Sequence, residues 1–403
     1  AAERLAGLLT SGRFATDLLL LAPESVALLA DDADLSPRDV AALNAELLAV
    51  RSRHADPEQA VAAIRAVRRR ELLRIAAARV LHLVDQEDSQ AAMSALTQAT
   101  ISAALASIHS AFDEDPLIEF AVIGMGRFGG AEQGIASDAD VMFVYRALPH
   151  CDDTAAGNRA ARMAEDLRGL LAAPSGEPAV GLDADLRPEG RQGPLVRSLA
   201  SYAAYYERWS APWEAQALLR ARPIAGSEAL GQAFVALVDP LRYPQLGISA
   251  SEVTHIRRIK ARMEAERLPR GTDPTLHSKL GRGGLSDVEW VVQLMQMQHG
   301  ARLQTLQTTG TLPALSAAEQ AGLVATADAE VLAEAWLMAS AVRDGLVLAR
   351  GRGADVVPTD VHELAALAHV MGYPAGQGAR LLEDYRRTTR RARQVMERLF
   401  YDD

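Results

Sequence analysis

"EFAVIGMGRFGG", residues 119–130, runs from a β-type apolar stretch into Gly124-x-Gly126-x-x-Gly129, the spacing of a dinucleotide-binding fingerprint. That fingerprint needs a full helix directly after the glycines and an acidic residue at the end of the next strand. Neither follows. The glycines lead into "AEQGIASDADVMFVY" (131–145), where Gly134 interrupts any helix and the next strand begins almost at once. No crossover helix fits, so a parallel β-α-β unit is not expected. The acids also stand at the start of the second strand rather than its end. A dinucleotide-dependent oxidoreductase is set aside on these grounds.

What the segment does hold is a glycine turn followed by Ser137-Asp138-Ala139-Asp140 entering a strand. Side chains two apart on a strand share a face, so Asp138 and Asp140 lie roughly 6–7 Å apart along it. Mg²⁺ is held by one or two carboxylates together with substrate phosphates. A third carboxylate is available in "GLDADLRPEG" (181–190), at Asp183; Asp185 shares its face, and alternation does not choose between them. Three carboxylates on adjacent strands beside a glycine turn make the layout for two-metal phosphoryl or nucleotidyl transfer. Taken singly, an acidic pair at a strand start is often a solvated turn, and the glycines often form a tight turn without a ligand. Their combination at this spacing favours the functional reading.

The 403 residues predict two or three domains, and 49% hydrophobic residues suffice for real cores. Aromatics are only 5%, and an alanine- and leucine-rich chain favours helices. A net charge of −10 argues against generic nucleic-acid binding. The single cysteine, Cys151, excludes an internal disulfide, fits a reducing compartment and reads as an incidental thiol. No apolar run of the roughly 18 residues needed to span a membrane is expected, and the start lacks a signal-peptide pattern. "AAERLAGLLT" reads as the middle of a helix, as though cut from something longer. A cytoplasmic protein without membrane or nucleic-acid partners is expected.

Residues 1 to about 112 read as helices, broken at Pro23 and Pro37, with a basic face on "PEQAVAAIRAVRRRELLRIAAARVLHLVD" (57–85) read as solvated arginines. Near Pro116 the character changes. "LIEFAVIGM", "DADVMFVYRAL" and "AVGLDADLRP" read as three strands, with helices at "GNRAARMAEDLRGLLAAP" and "LASYAAYYERWSAPWEAQALLRAR". From about residue 249 the chain is helical again and reads as a terminal bundle. The expected division is a helical region 1–90, a catalytic domain 91–248 and a helical bundle 249–403.

The residues at this point resemble a family. "GMGRFGGAEQGIASDADVMFVY" is similar to the nucleotidyltransferase motif of glutamine synthetase adenylyltransferases, also called glutamate–ammonia-ligase adenylyltransferases. Their third motif, V-D-x-x-L-R-P, stands here as Leu182 to Pro188, which selects Asp183 over Asp185. A later K-x-x-x-G-G-x-x-D-[IV]-E motif resembles Lys279 to Glu289, and "YYERWSAPWEAQALLRARPIAG" resembles the helix after the third strand. The resemblance implies a mostly α protein with a small α/β, polymerase-β-like nucleotidyltransferase core, flanking helical domains and a C-terminal helix bundle. Full enzymes of the family carry two such halves. One removes AMP from glutamine synthetase by phosphorolysis; the other attaches AMP from ATP to a tyrosine. "LRPEGRQGPLVRSL", the truncated-looking start and the finish in "YDD" resemble the C-terminal, adenylylating half of high-GC Gram-positive bacteria. The deadenylylating half is the alternative. A non-catalytic module would predict a broken acidic triad, and all three acids are present.

The roles that follow place Mg²⁺ on Asp138, Asp140 and Asp183, with ATP phosphates held by Gly124, Gly126, Gly129, Gly130 and Ser137 and assisted by Arg127 and Arg187. Asp183 or the metal would help ionise a tyrosine, whose unperturbed pKa is about 10. For Lys279 to Glu289 two readings stand: a glycine turn with Ser286 as N-cap, or a reach of Lys279 or Asp287 into the cleft. Tyr205, Tyr206, Trp209 and Trp213 read as packing rather than a nucleotide stack. "YRRTTRRARQVMERLF" reads as a solvated basic face that could also dock an acidic partner. The signalling protein PII and glutamine are effectors the family implies, with no site visible in these residues.

Overall fold

The computed structural model describes residues 1–110, 117–209 and 211–402. The change of character expected near Pro116 lies outside them. Helices α1 (Ala2–Ser11), α2 (Arg13–Leu21), α3 (Asp32–Leu35), α4 (Val40–Arg51), α5 (Pro57–Val80) and α6 (Gln86–Ser110) build an N-terminal layer. Pro23 opens a 3₁₀ segment and Pro37 separates α3 from α4. The layer's core comes from apolar residues at helical spacing, including Leu8, Leu18, Ile64, Leu72 and Leu96.

The middle of the chain forms β1 (Ile118–Gly124), a single turn α7 (Gly126–Gly129), β2 (Ala139–Ala147), α8 (Asp153–Ala172), β3 (Leu182–Asp183), β4 (Val196–Ser198), α9 (Leu199–Trp209), α10 (Pro212–Leu218), β5 (Arg222–Gly226) and α11 (Glu228–Arg242). The five strands run in the order β3-β2-β1-β5, with β4 also on β2. β1 and β2 are antiparallel, as the missing crossover helix requires, while β3 and β4 run parallel to β2. Alternation sends Phe120, Val122, Val141 and Phe143 to a face covered by α6 and α8. It sends Ala121, Ile123, Met142 and Val144 to the opposite face, covered by α9 and α11. With both faces covered, the central strands are near-continuously apolar. The expected third strand is only two residues long; β4 and β5 were not anticipated, and β5 begins within the stretch read as helix.

The C-terminal part holds α12 (Ala250–Glu266), α13 (Leu285–His299), α14 (Thr311–Gln320), α15 (Thr326–Arg350), α16 (Val361–Val370) and α17 (Gly378–Met396). Most pack around Trp336, Val288, Val292 and Phe400. The observed architecture is mostly helical with a small mixed sheet. α6 joins two cores, since Leu96 belongs to the N-terminal layer and Ile101 to the sheet. The expected boundary at residue 90 thus falls in its first turns. By length and composition this helix could cross a membrane, which the sequence reading did not expect, but 72% of its most apolar window is buried inside the protein.

The basic face of α5 is not solvated. Arg65 is 2% exposed and donates to the carbonyls of Ala173 and Glu177 at 2.7 and 2.8 Å, capping the end of α8. Arg70 and Arg74 converge on buried Glu71. Guanidinium groups become buried where carbonyls and carboxylates satisfy their fixed fork of donors. The C-terminal basic face is solvated as expected, except for Arg393. Its guanidinium joins a buried node in which Asp287 accepts from the Lys260 ammonium at 2.5 Å, from Arg393 at 3.1 Å and from the Gly283 amide at 2.7 Å.

Lys260 and Asp287 are both fully buried, so removing Asp287 leaves the Lys260 ammonium with Glu264 alone as an anionic partner in a dry interior. Asp287→Leu is expected to cost about 3–5 kcal/mol in urea denaturation, and Lys260→Met combined with Asp287→Leu to recover part of the loss. A single-variant loss no larger than that of a surface change, about 0.5 kcal/mol, would contradict this reading.

Candidate active site

Strand β1 stops at Gly124, and the chain turns back over the end of β2, where the Met125 amide donates to the Asp140 carbonyl at 2.8 Å. Gly126 sits at φ +52°, and a Cβ there would lie 2.1 Å from Oδ2 of Asp140. Glycine at 126 therefore lets the Asp140 carboxylate rest against the turn. The other motif glycines make room for packing. A Cβ on Gly124 would strike Ile224, one on Gly129 the Arg220 carbonyl, and one on Gly130 the Arg220 guanidinium. These three let β5 and Arg220 approach, and none of them lines the two cavities flanking the acids.

In the parallel pair of β2 with β3, Asp140 lies directly opposite Asp183. Burial pushes the Asp140 carboxyl up to about 6, with Asp183 and Asp138 adding to the push and Lys279 and Arg127 opposing it. Asp183 and Asp185 differ in their neighbours. Asp185 turns to Arg191 at 2.6 Å, while Oδ1 of Asp183 accepts from the Asp185 amide at 2.8 Å and stays beside Asp140.

The acids separate two cavities. One, of about 440 Å³, is lined by Asp138, Asp183, Asp185, Arg168, Arg187 and Arg191. The other, of about 260 Å³, has Gly126, Arg127, Asp140, Lys279 and Glu289 around it, and Leu186, Ala217, Arg220, Leu285 and Gln293 along its remaining wall. Of the other expected phosphate ligands, Ser137 accepts from Arg127 at 3.0 Å. Arg187 donates to the carbonyls of Ala184, Gly193 and Pro194, clamping the loop after β3, and lines the cavity beside Asp183.

Lys279 and Glu289 reach the second cavity; Asp287 does not, being sealed in the ion node with Lys260. The N-cap of α13 is Gly284, not Ser286, which is buried in the first turn. Tyr206 is core, as expected, and the Tyr205 hydroxyl donates to Glu214 at 2.8 Å. Trp209 and Trp213 are exposed rather than packed.

Two residues that sequence reasoning missed hold the glycine loop in place. Asp344 of α15 is buried, accepts from the Ile135 amide at 3.0 Å and from the Gln86 amide side chain at 2.6 Å. Its signal was present as an acid on the apolar face of "AVRDGLVLAR". Glu132, also buried, pairs with Arg220 at 3.1 Å and accepts from the Thr311 hydroxyl at 2.8 Å. Nothing local marks that pair.

Among the described residues no three His, Cys, Asp or Glu side chains are gathered closely enough to hold an ion. The donor chemistry nevertheless fits Mg²⁺: hard carboxylate oxygens, one of which, Asp140, is raised by burial and then by the neighbouring Asp183, so that a cation there would relieve it.

Residues 2–237 match a family model described as glutamate-ammonia ligase adenylyltransferase, and residues 257–400 one described as GlnD PII-uridylyltransferase. The chain is 51% identical over 419 residues to the bifunctional glutamine synthetase adenylyltransferase/adenylyl-removing enzyme of Streptomyces avermitilis, covering 100% of this chain and 42% of that one. It is 50% identical to the enzyme of that name from Streptomyces coelicolor, with the same coverage, and 47% identical to that of Mycobacterium avium, covering 99% and 41%. The chain thus spans about two fifths of the length of these curated relatives.

A carboxyl raised in the folded state favours folding while protonated. The contribution of Asp140 is fully present below its unfolded value of 3.8 and is lost as pH rises through about 6. In metal-free protein, Asp140→Asn is expected to exceed the parent in stability above pH 6, by on the order of 1–2 kcal/mol after solvent screening, and to match it near pH 4. Denaturation curves in a chelator across this range check the crossover.

Proposed function

The chain belongs to the glutamate-ammonia ligase adenylyltransferase family, and from that premise we propose that it moves AMP from ATP to a tyrosine hydroxyl of glutamine synthetase. The observation that carries the reading is the Asp140–Asp183 pair set side by side between two cavities, with Asp138 at its edge. Mg²⁺ held by Asp138, Asp140 and Asp183 would supply charge neutralisation at the triphosphate. The triphosphate lies on the Asp140 side, where Arg127 and Lys279 add positive charge. The acceptor tyrosine enters on the Asp183 side, and Asp183 takes its phenolic proton. The phenolic oxygen forms the new bond to the α-phosphorus; the bond from that phosphorus to the bridging oxygen breaks, and pyrophosphate leaves with the electron pair. Arg187 acts by shaping the loop that carries Asp183.

What supports the adenylylating assignment over the phosphorolytic one is the stretch after β3, "LRPEGRQGPLVRSL", with its resemblance to C-terminal copies. The helical region from about residue 249 would present glutamine synthetase and receive signals. The match of residues 257–400 to a PII-uridylyltransferase model supports PII as one of them, with glutamine as a second effector. A cytoplasmic setting goes with this reading.

Incubation with glutamine synthetase, labelled ATP and Mg²⁺ is expected to place label on a tyrosine. Release of ADP from pre-modified synthetase with phosphate would instead assign the reverse reaction. Asp138→Asn and Asp140→Asn should each lower turnover by about a thousandfold or more, since each removes a ligand to the triphosphate's counter-charge. Turnover that survives both changes would overturn the site.

A further inference from the structure

The 260 Å³ cavity has a direction. Leu285, Glu289 and Gln293 are four apart on α13, so they form one stripe about 12 Å long facing it. Glu289 acts on Arg127, which ties the middle of the stripe to the charged end with Asp140 and Lys279. Gln293 lies one turn further on, about 6 Å along the helix. Besides this stripe the cavity is lined by Leu186, by Ala217 of α10 and by Arg220, whose guanidinium is engaged by Glu132 and Thr311. None of the four aromatic residues singled out from the sequence lines the cavity.

Gln293 is held in place from α10. The Gln216 side-chain amide donates to its Oε1 at 2.8 Å, which leaves both Nε2 donors of Gln293 and a second lone pair on its Oε1. Gln216 itself is 4% exposed, and its Oε1 has no partner among the described residues. A buried acceptor left unmet is costly, and such groups cluster where something else completes them.

We propose that Gln293, positioned by Gln216, reads the base of the nucleotide and makes the site select adenine over guanine. This rests on the reading of the chain as an ATP-dependent nucleotidyltransferase. An amide edge offers a donor and an acceptor side by side, matching adenine's N7 and N6 amino group. Guanine carries a carbonyl oxygen in place of that amino group, so acceptor would face acceptor. Leu186 and Ala217 flank the ring, the phosphates run toward Arg127 and Lys279, and the α-phosphorus reaches Asp140. Base selection is thereby contributed by the C-terminal helical region rather than by the sheet.

The test compares ATP with GTP, for both AMP or GMP transfer and equilibrium binding of their α,β-methylene analogues. The parent should prefer adenine in both. Gln293→Met, close to isosteric, should lower kcat/KM for ATP about tenfold, mainly through KM, and reduce the ATP:GTP preference by a similar factor. Gln216→Leu should move the preference in the same direction. An unchanged ATP:GTP ratio in Gln293→Met, or equal binding of the two analogues by the parent, overturns the proposal. If the parent transfers no nucleotide at all, the functional reading fails instead, while analogue binding still decides the role of Gln293.

Discussion

Two aspartates in register on neighbouring parallel strands repel each other, and the surrounding structure is arranged to hold them there. Asp140 and Asp183 face each other across β2 and β3, and burial raises the Asp140 carboxyl to about 6. Left alone, such a pair would swing apart or take up a proton. The Asp140 carboxylate is confined by the turn at Gly126, whose missing side chain is the space it occupies. Arg127 and Lys279 offset part of the repulsion from outside the sheet. The tension that remains is characteristic of sites that bind cations or move protons, where groups are set at odds with their own ionisation.

The turn is closed by its own backbone hydrogen bonds, among them Gly129 to Met125 and Glu132 to Arg127, and is fixed in place by the helices around it. Glu132 ties it to Arg220 and to the start of α14 through Thr311; Asp344 ties it to α15 and, through Gln86, to α6. These links are buried and each acceptor has partners, which is the condition under which interior polar networks specify one arrangement instead of costing stability. The consequence is mechanical. The loop beside Asp140 is bolted to both the N-terminal layer and the C-terminal bundle, so neither helical part is an independent appendage to the sheet.

Much of this was legible in the residues. Short apolar runs rich in β-formers, "EFAVIG" and "DADVMFVY", mark the two central strands, and the short spacing between them excludes a crossover helix, because a helix needs more chain than "AEQGIAS" provides. The pair Asp138–Asp140 is legible because alternate residues of a strand share a face whatever surrounds them. Long amphipathic helices such as α12, α15 and α17 announce themselves by their own repeat. Local periodicity is a property of the backbone, so it can be read without the fold.

Which groups meet across the chain is another matter. The placing of Asp183 beside Asp140, the burial of the α5 arginines, the sealing of Asp287 with Lys260 and the delivery of Lys279, Glu289 and Gln293 to the cleft all depend on residues far apart in sequence. The glycines show the division most plainly. Their spacing announced a turn, but only the packed structure shows that Gly126 makes room for a carboxylate while Gly124, Gly129 and Gly130 make room for Ile224 and Arg220. A sequence records which side chain is missing at a position; what fills the space is decided by whichever distant segment packs there.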